Sequence, residues 1–145
     1  MNIPECFYRI SVKALILNKA RDKFLITKEA SGKWEIPGGG LDWQANVKEE
    51  LNRELMEEMG LHAIWIANQP AYFTVSPMLR LPGAYAANII FEAKLHNLDF
   101  TTSDECVAID WINQDNADQF DLFPNIPPLL KQFDPKNHSK PFKHH

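Results

Sequence analysis

The chain has 145 residues, the span of one ordinary domain. Its 15 Lys and Arg against 19 Asp and Glu leave a net charge of −4, and 45% of its residues are hydrophobic. That balance excludes disorder along the whole chain and argues against a large nucleic-acid surface. No apolar run reaches the ~18 residues of a membrane span, so no membrane partner is expected. The start, MNIPECFYRISVKALIL, lacks the basic segment of a signal peptide. Cys6 and Cys106 stand outside any zinc or C-x-x-C spacing and read as reduced thiols, so a cytoplasmic setting is expected.

In chain order, Tyr8 to Leu17 is apolar and β-branched and predicts a strand. A polar turn at Asn18 to Asp22 leads to a second strand, Lys23 to Thr27, and the two read as a hairpin. Trp34 to Ile36 is a short apolar segment stopped by Pro37, and Gly38-Gly39-Gly40 reads as a flexible corner. Asn46 to Met59 has helical spacing, with Asn46 and Glu49 placed as a capping box and Gly60 as the terminating glycine. His62 to Val75, interrupted near Asn68–Pro70, Ala84 to Leu95 and Val107 to Ile112 read as strands. Short helices follow around Gln114–Gln119 and Ile126–Phe133. Residues 1–133 read as one α/β domain with a central mixed sheet, and 134–145 as a frayed tail.

Chemistry concentrates in GGGLDWQANVKEELNRELMEEMGL. On a helical projection Val47, Leu51, Leu55 and Met59 form one apolar stripe. Glu50, Glu54, Glu57 and Glu58 share an arc of about 100° beside it. Like charges at i,i+4 cost roughly 0.2–0.5 kcal/mol per pair. Mg²⁺ or Mn²⁺, hard cations that take oxygen ligands, would relieve that repulsion. A solvated acidic helix face explains the helix alone equally well, but a glycine backbone beside the carboxylates favours a ligand site. No P-loop or G-x-G-x-x-G opens a helix.

This segment resembles the Nudix hydrolase box, G-x5-E-x7-R-E-U-x-E-E-x-G-U with U a large aliphatic residue. Gly39, Arg53, Glu54, Leu55, Glu57, Glu58, Gly60 and Leu61 fall on its fixed positions. The first box glutamate is replaced by Ala45, with Asp42 and Glu50 as nearby carboxylates that could compensate. The resemblance implies an α/β/α sandwich and Mg²⁺- or Mn²⁺-dependent hydrolysis of a phosphoanhydride in a nucleoside diphosphate-linked small molecule.

It further implies Glu57 and Glu58 as the principal metal ligands, both partly exposed, and Glu54 as a ligand or general base oriented by Arg53. The Gly39–Gly40 backbone would add a carbonyl ligand. A loop carboxylate is expected from Glu105, with Asp104 the neighbour competing for that place. In a MutT-like nucleoside triphosphatase an Asn before the last helix reads the purine edge, and Asn125 sits there; a plain helix cap is the competing reading. Lys28, closing the second strand, is a phosphate candidate or an ordinary surface lysine. Trp34, Phe73 and Tyr85 could stack a base but read more simply as core. Alternatives within the fold are an ADP-ribose hydrolase, which Pro77 also suits, or a dinucleoside polyphosphate hydrolase. From another class, the loss at Ala45 admits a non-catalytic nucleotide-binding or regulatory module. No residue pattern dictates an oligomeric state.

Overall fold

The computed structural model describes residues 1–138. Its central strand, β1 (Tyr8–Ile16), is buried without a break from Ser11 to Ile16. A strand hidden on both faces needs partners on both edges. β4 (Gly38–Gly40) pairs antiparallel on one side, and β7 (Tyr85–Leu95) runs parallel on the other, from Tyr8↔Tyr85 to Ile16↔Ala93. β5 (Ala63–Ile66) and β6 (Tyr72–Pro77) share the outer edge of β7, both antiparallel to it. The sheet is thus mixed. A second, antiparallel sheet has the order β3 (Trp34–Glu35), β2 (Phe24–Lys28), β8 (Ala108–Ile112).

Side-chain alternation along β1 divides the molecule. Val12, Ala14 and Ile16 pack under α1 (Val47–Met59), against Leu51, Leu55 and Met59. Leu15 points the other way, into a second cluster with Ile126, Leu129 and Leu130 of α2 (Ile126–Gln132). β2 splits likewise, with Leu25 in the first cluster and Phe24 and Ile26 in the second. The two helices therefore cover opposite faces, the expected α/β/α layering. α1 begins where Asn46 Oδ1 accepts the Glu49 N–H (3.1 Å) and ends at Gly60, whose φ of 69° is left-handed.

Four local expectations are corrected. Among the described residues, backbone pairing between the two segments is limited to the Leu17↔Phe24 bridge and the Asn18 N–H to Lys23 O bond (3.1 Å), and β1 and β2 lie in different sheets. Both edges of β1 are already occupied, so it cannot pair along β2. The Gly38–Gly40 corner is a paired strand, since backbone pairing with β1 takes up the segment. Around Gln114–Gln119 there is only a 3₁₀ turn at Ala117–Gln119, with no side-chain cap at Asn116 to extend it. Of the tail, Pro135–Asn137 forms another 3₁₀ turn rather than fraying: Asp134 N–H donates to the Tyr72 hydroxyl (2.9 Å), and His138 Nε2 lies 2.8 Å from it. Residues 139–145 lie outside the described residues.

Leu55 is fully buried between α1 and the sheet. Leu55→Ala is expected to cost about 2–5 kcal/mol, read as a lower urea midpoint with an unchanged slope. An unshifted midpoint would contradict the packing of α1 described above.

Candidate active site

The site starts from glycines. Gly38 has a φ of 142°, and a Cβ there would run into the Val12 carbonyl oxygen and lie 2.8 Å from Lys13 Cα. A Cβ on Gly39 would lie 2.5 Å from Glu54 Oε1. Missing side chains on β4 thus leave the space into which α1 sets its carboxylates. The Gly38 N–H donates to Glu58 Oε1 at 3.5 Å.

Glu54 and Glu58, one turn apart on α1, meet Glu105 from the loop before β8, with a carboxylate oxygen of each within 4.8 Å of the others. Glu58 is only 6% exposed, and its Oε2 has no hydrogen-bond partner among the described residues. Burial pushes its pKa up to about 9; Lys13 opposes that shift, while Glu105 and Glu54 reinforce it. Burial also raises Glu54, against the pull of Arg53. A buried carboxylate with an orphaned oxygen and two acidic neighbours suits a hard divalent cation. The donor set therefore fits Mg²⁺ or Mn²⁺.

The other box residues arrange themselves around Arg53. Its Nη1 donates to Glu57 Oε1 (2.6 Å), its Nη2 to Glu54 Oε1 (2.7 Å) and to Glu50 Oε1. Glu57 has a side chain 57% exposed and lies outside the three-carboxylate cluster. The expectation that Glu57 and Glu58 are alike in exposure is thus corrected: Glu58 faces the glycine strand and Glu57 faces outward. Of the two carboxylates near Ala45, Asp42 is paired with Arg9 (2.9 Å) and Glu50 with Arg53, so neither joins the cluster. Between the neighbours Asp104 and Glu105, it is Glu105 that the fold brings to Glu58.

A cleft of about 270 Å³ opens beside the cluster, between β1, β6, β7 and the loop before α2. Arg9, Ser11 and Lys13, on the same face of β1 as Leu15, line it. Beside them in the same sheet, the inward face of β6 turns polar: Asn88 Nδ2 on β7 donates to Thr74 Oγ1 (3.2 Å) and Ser76 Oγ (3.0 Å). Lys13 Nζ lies 3.7 Å from Glu35 Oε2, and Asn125 Nδ2 donates to Glu35 Oε1 at 2.6 Å. Asn125 makes no side-chain cap bond; its backbone is αR (φ −80°, ψ −12°) rather than extended, so the cap reading fails. It is 8% exposed, and its Oδ1 has no partner among the described residues.

Lys28 does not line this cleft; its ammonium lies 5.9 Å from the centre of the Trp34 ring. Trp34 packs edge-on to Phe120 in the α2-side cluster. Phe73 and Tyr85, read as core, are 56% and 48% exposed, because they stand on the outward positions of β6 and β7. Sequence reasoning missed Lys13 and Glu35. The available signal was a charge flanked by apolar residues, in Val12-Lys13-Ala14 and in Trp34-Glu35-Ile36.

A carboxylate helix thus lies on a strand of glycines, beside a cleft of about 270 Å³ in an α/β/α sandwich. The NUDIX domain model matches residues 7–133, and the chain belongs to the Nudix family as a pyrophosphohydrolase. It is 27% identical over 126 residues to the nucleoside triphosphatase NudI of Klebsiella pneumoniae (strain 342), covering 79% of this chain and 88% of that protein. The crystal structure of a MutT protein from Methanosarcina mazei Go1 is similar with a TM-score of 0.73 and 26% identity, over 94% of this chain and all of that one. The solution structure of the E. coli ORF135 protein has a TM-score of 0.69 at 21% identity, over 90% of this chain and 91% of that one. Among the described residues no helix is long and apolar enough to cross a membrane.

Burial of Glu58 makes a stability prediction. Its folded pKa of about 9 lies above the ordinary 4.5, so the folded state holds a proton that the unfolded state releases between those values. Stability from this group is full below that window and is lost as pH rises through it. Glu58→Gln, neutral throughout, is expected to raise the melting temperature of chelator-treated protein by a few degrees at pH 8 and by little at pH 5. Equal shifts at both pH values would show that Glu58 is not buried with its proton.

Proposed function

We propose that the chain hydrolyses a phosphoanhydride bond in a nucleoside diphosphate-linked substrate, foremost a purine nucleoside triphosphate, releasing the monophosphate and pyrophosphate. The observation that carries this reading is the Glu54, Glu58 and Glu105 cluster beside the cleft that Asn125 lines. In this reading those three carboxylates hold Mg²⁺ or Mn²⁺, the Gly39 backbone adds a carbonyl and Glu57 serves a further ion. The bound cation would neutralise charge developing on the phosphoryl oxygens and lower the pKa of a bound water. Polyphosphate and bare carboxylates repel, which supports a divalent ion between them.

The chain's own residues supply the rest. Arg53 fixes Glu54 through a charge-assisted bond. Glu54, with its pKa raised by burial, takes the proton of the attacking water. Arg9, Lys13 and Arg80 line the cleft and would face the phosphates once the divalent ion offsets the carboxylates beside them. Asn125 meets the base. Residues 1–133 act as one domain in this reading, and the two unpaired thiols, exposed Cys6 and buried Cys106, suit a reducing cytoplasm. The relative's description as a nucleoside triphosphatase supports triphosphates over ADP-ribose. An intact R-E-L-x-E-E helix supports catalysis over a purely regulatory role despite Ala45.

Glu57→Gln and Glu58→Gln are each expected to lower kcat about 10²–10⁴-fold at saturating Mg²⁺. Near wild-type turnover of both variants sinks the assignment. In a panel of purine and pyrimidine triphosphates, ADP-ribose and dinucleoside polyphosphates, a purine triphosphate is expected to lead. Asn125→Ala should then reduce kcat/KM for that purine by about 1–3 kcal/mol and change pyrimidine rates little. ADP-ribose leading the panel, or an equal loss on every substrate, rules out base reading by Asn125.

A further inference from the structure

Glu35 is held by donors alone. Its Oε1 accepts from the Ile36 N–H (2.9 Å) and from Asn125 Nδ2 (2.6 Å), and its Oε2 faces Lys13 Nζ at 3.7 Å. The Ile36 N–H and the Lys13 ammonium can only donate, so this geometry calls on the Glu35 carboxylate as an acceptor. That fixes the Asn125 amide. Were the amide turned over, its oxygen would stand against the Glu35 oxygen, acceptor on acceptor. The stable arrangement spends Nδ2 on Glu35 and leaves Oδ1 unpaired; the oxygen itself is buried in the wall of the cleft that Asn125 lines, so a base reaches it when neighbouring lining side chains shift. An unpaired buried oxygen is costly until a ligand donates to it.

We infer that Lys13 and Glu35 are positioning residues that fix the polarity of the Asn125 amide, so that the cleft presents an acceptor and selects nucleobases carrying an N–H donor. The inference rests on the nucleotide reading above and adds to it. An isolated asparagine accepts either edge of a base because its amide can turn over. Here the charge pair removes that freedom. Lys13 anchors Glu35, Glu35 orients Asn125, and only Asn125 touches the base. The discrimination is paid in unmade hydrogen bonds: a base without a donor leaves Oδ1 buried and unsatisfied.

The test is binding, by titration calorimetry in Mg²⁺, of AMP, GMP and IMP against purine riboside 5′-monophosphate. The first three bases carry an N–H donor on the ring or an exocyclic amine, and the last carries none. Wild type is expected to bind the best of the three about tenfold more tightly than the donor-free analogue. Glu35→Gln, which can offer Asn125 either a donor or an acceptor, is expected to shrink that gap to about twofold, since the amide is then free to turn over. Lys13→Gln, which leaves Glu35 without its counter-charge, is expected to narrow the gap as well, and it decides the matter if Glu35→Gln melts before the assay temperature. A purely structural role for either residue would weaken all four ligands alike and leave the ratio untouched. Equal binding of all four by wild type, or an unchanged ratio in the folded variants, overturns the inference. Nucleotide hydrolysis by wild type without the binding preference overturns it alone. Absence of any hydrolysis overturns the parent reading, while the binding ratios still decide this one.

Discussion

Glu58 carries a carboxyl into the packed seam between α1 and β4, where its charge is poorly solvated and two further carboxylates approach. Ionising such a group in a protein interior is costly unless donors or cations compensate. The surrounding structure reads as that compensation. β4 has no side chains, so the carboxylates of α1 reach its backbone, and the Gly38 amide points at Glu58. Lys13 is close enough to favour the ionised form, though not to restore an ordinary pKa. The caps at Asn46 and Gly60 set the register of α1, which decides that Glu54 and Glu58, rather than Glu57, face the strand.

β1 distributes the work. Its Val12, Ala14 and Ile16 hold α1 against the sheet, which keeps the carboxylates in place. Its odd-numbered residues change character along the strand, from Leu15 in the α2-side core to Lys13, Ser11 and Arg9 in the cleft. The cleft is therefore the continuation of a core layer in which apolar side chains have given way to polar ones. Thr74, Ser76 and Asn88 make the same exchange on the neighbouring strands β6 and β7. Buried polar groups persist only when paired, and these pair with one another. Among the described residues Asn125 Oδ1, Glu58 Oε2 and His138 Nδ1 are exceptions, and the first two belong to residues that line the cleft.

Much of this was legible in the chain itself. α1 was readable because cap, period and terminating glycine agree on the same boundaries. The β5–β6 break was readable from the polar and proline residues at Asn68–Pro70. The parting of β1 and β2 was not, because strand adjacency in sequence suggests a hairpin while pairing is settled by which edges other strands occupy. Likewise nothing in the order Asp104-Glu105 says which carboxylate turns inward; the loop geometry before β8 decides it. Asn125 was ambiguous because a residue before a helix caps it only when its own backbone is extended, and that dihedral is not written in the local sequence. Lys13 and Glu35 are the instructive omissions. Each is a charge in a short apolar run, and such a charge survives burial only where the fold provides an opposite charge, here each other.

The strand without side chains has a consequence for how such a protein can diversify. The hydrolytic wall is built from backbone and from helix carboxylates fitted closely to it, so almost any replacement at Gly38 or Gly39 collides with Val12 or Glu54. The rest of the cleft is lined by ordinary side chains on β1, β6, β7 and the loop before α2. One end of the cleft is rigid to mutation and the other is plastic. Descendants of such a chain can acquire new ligands by exchanging a few residues at the plastic end, while the bond they cleave stays the same.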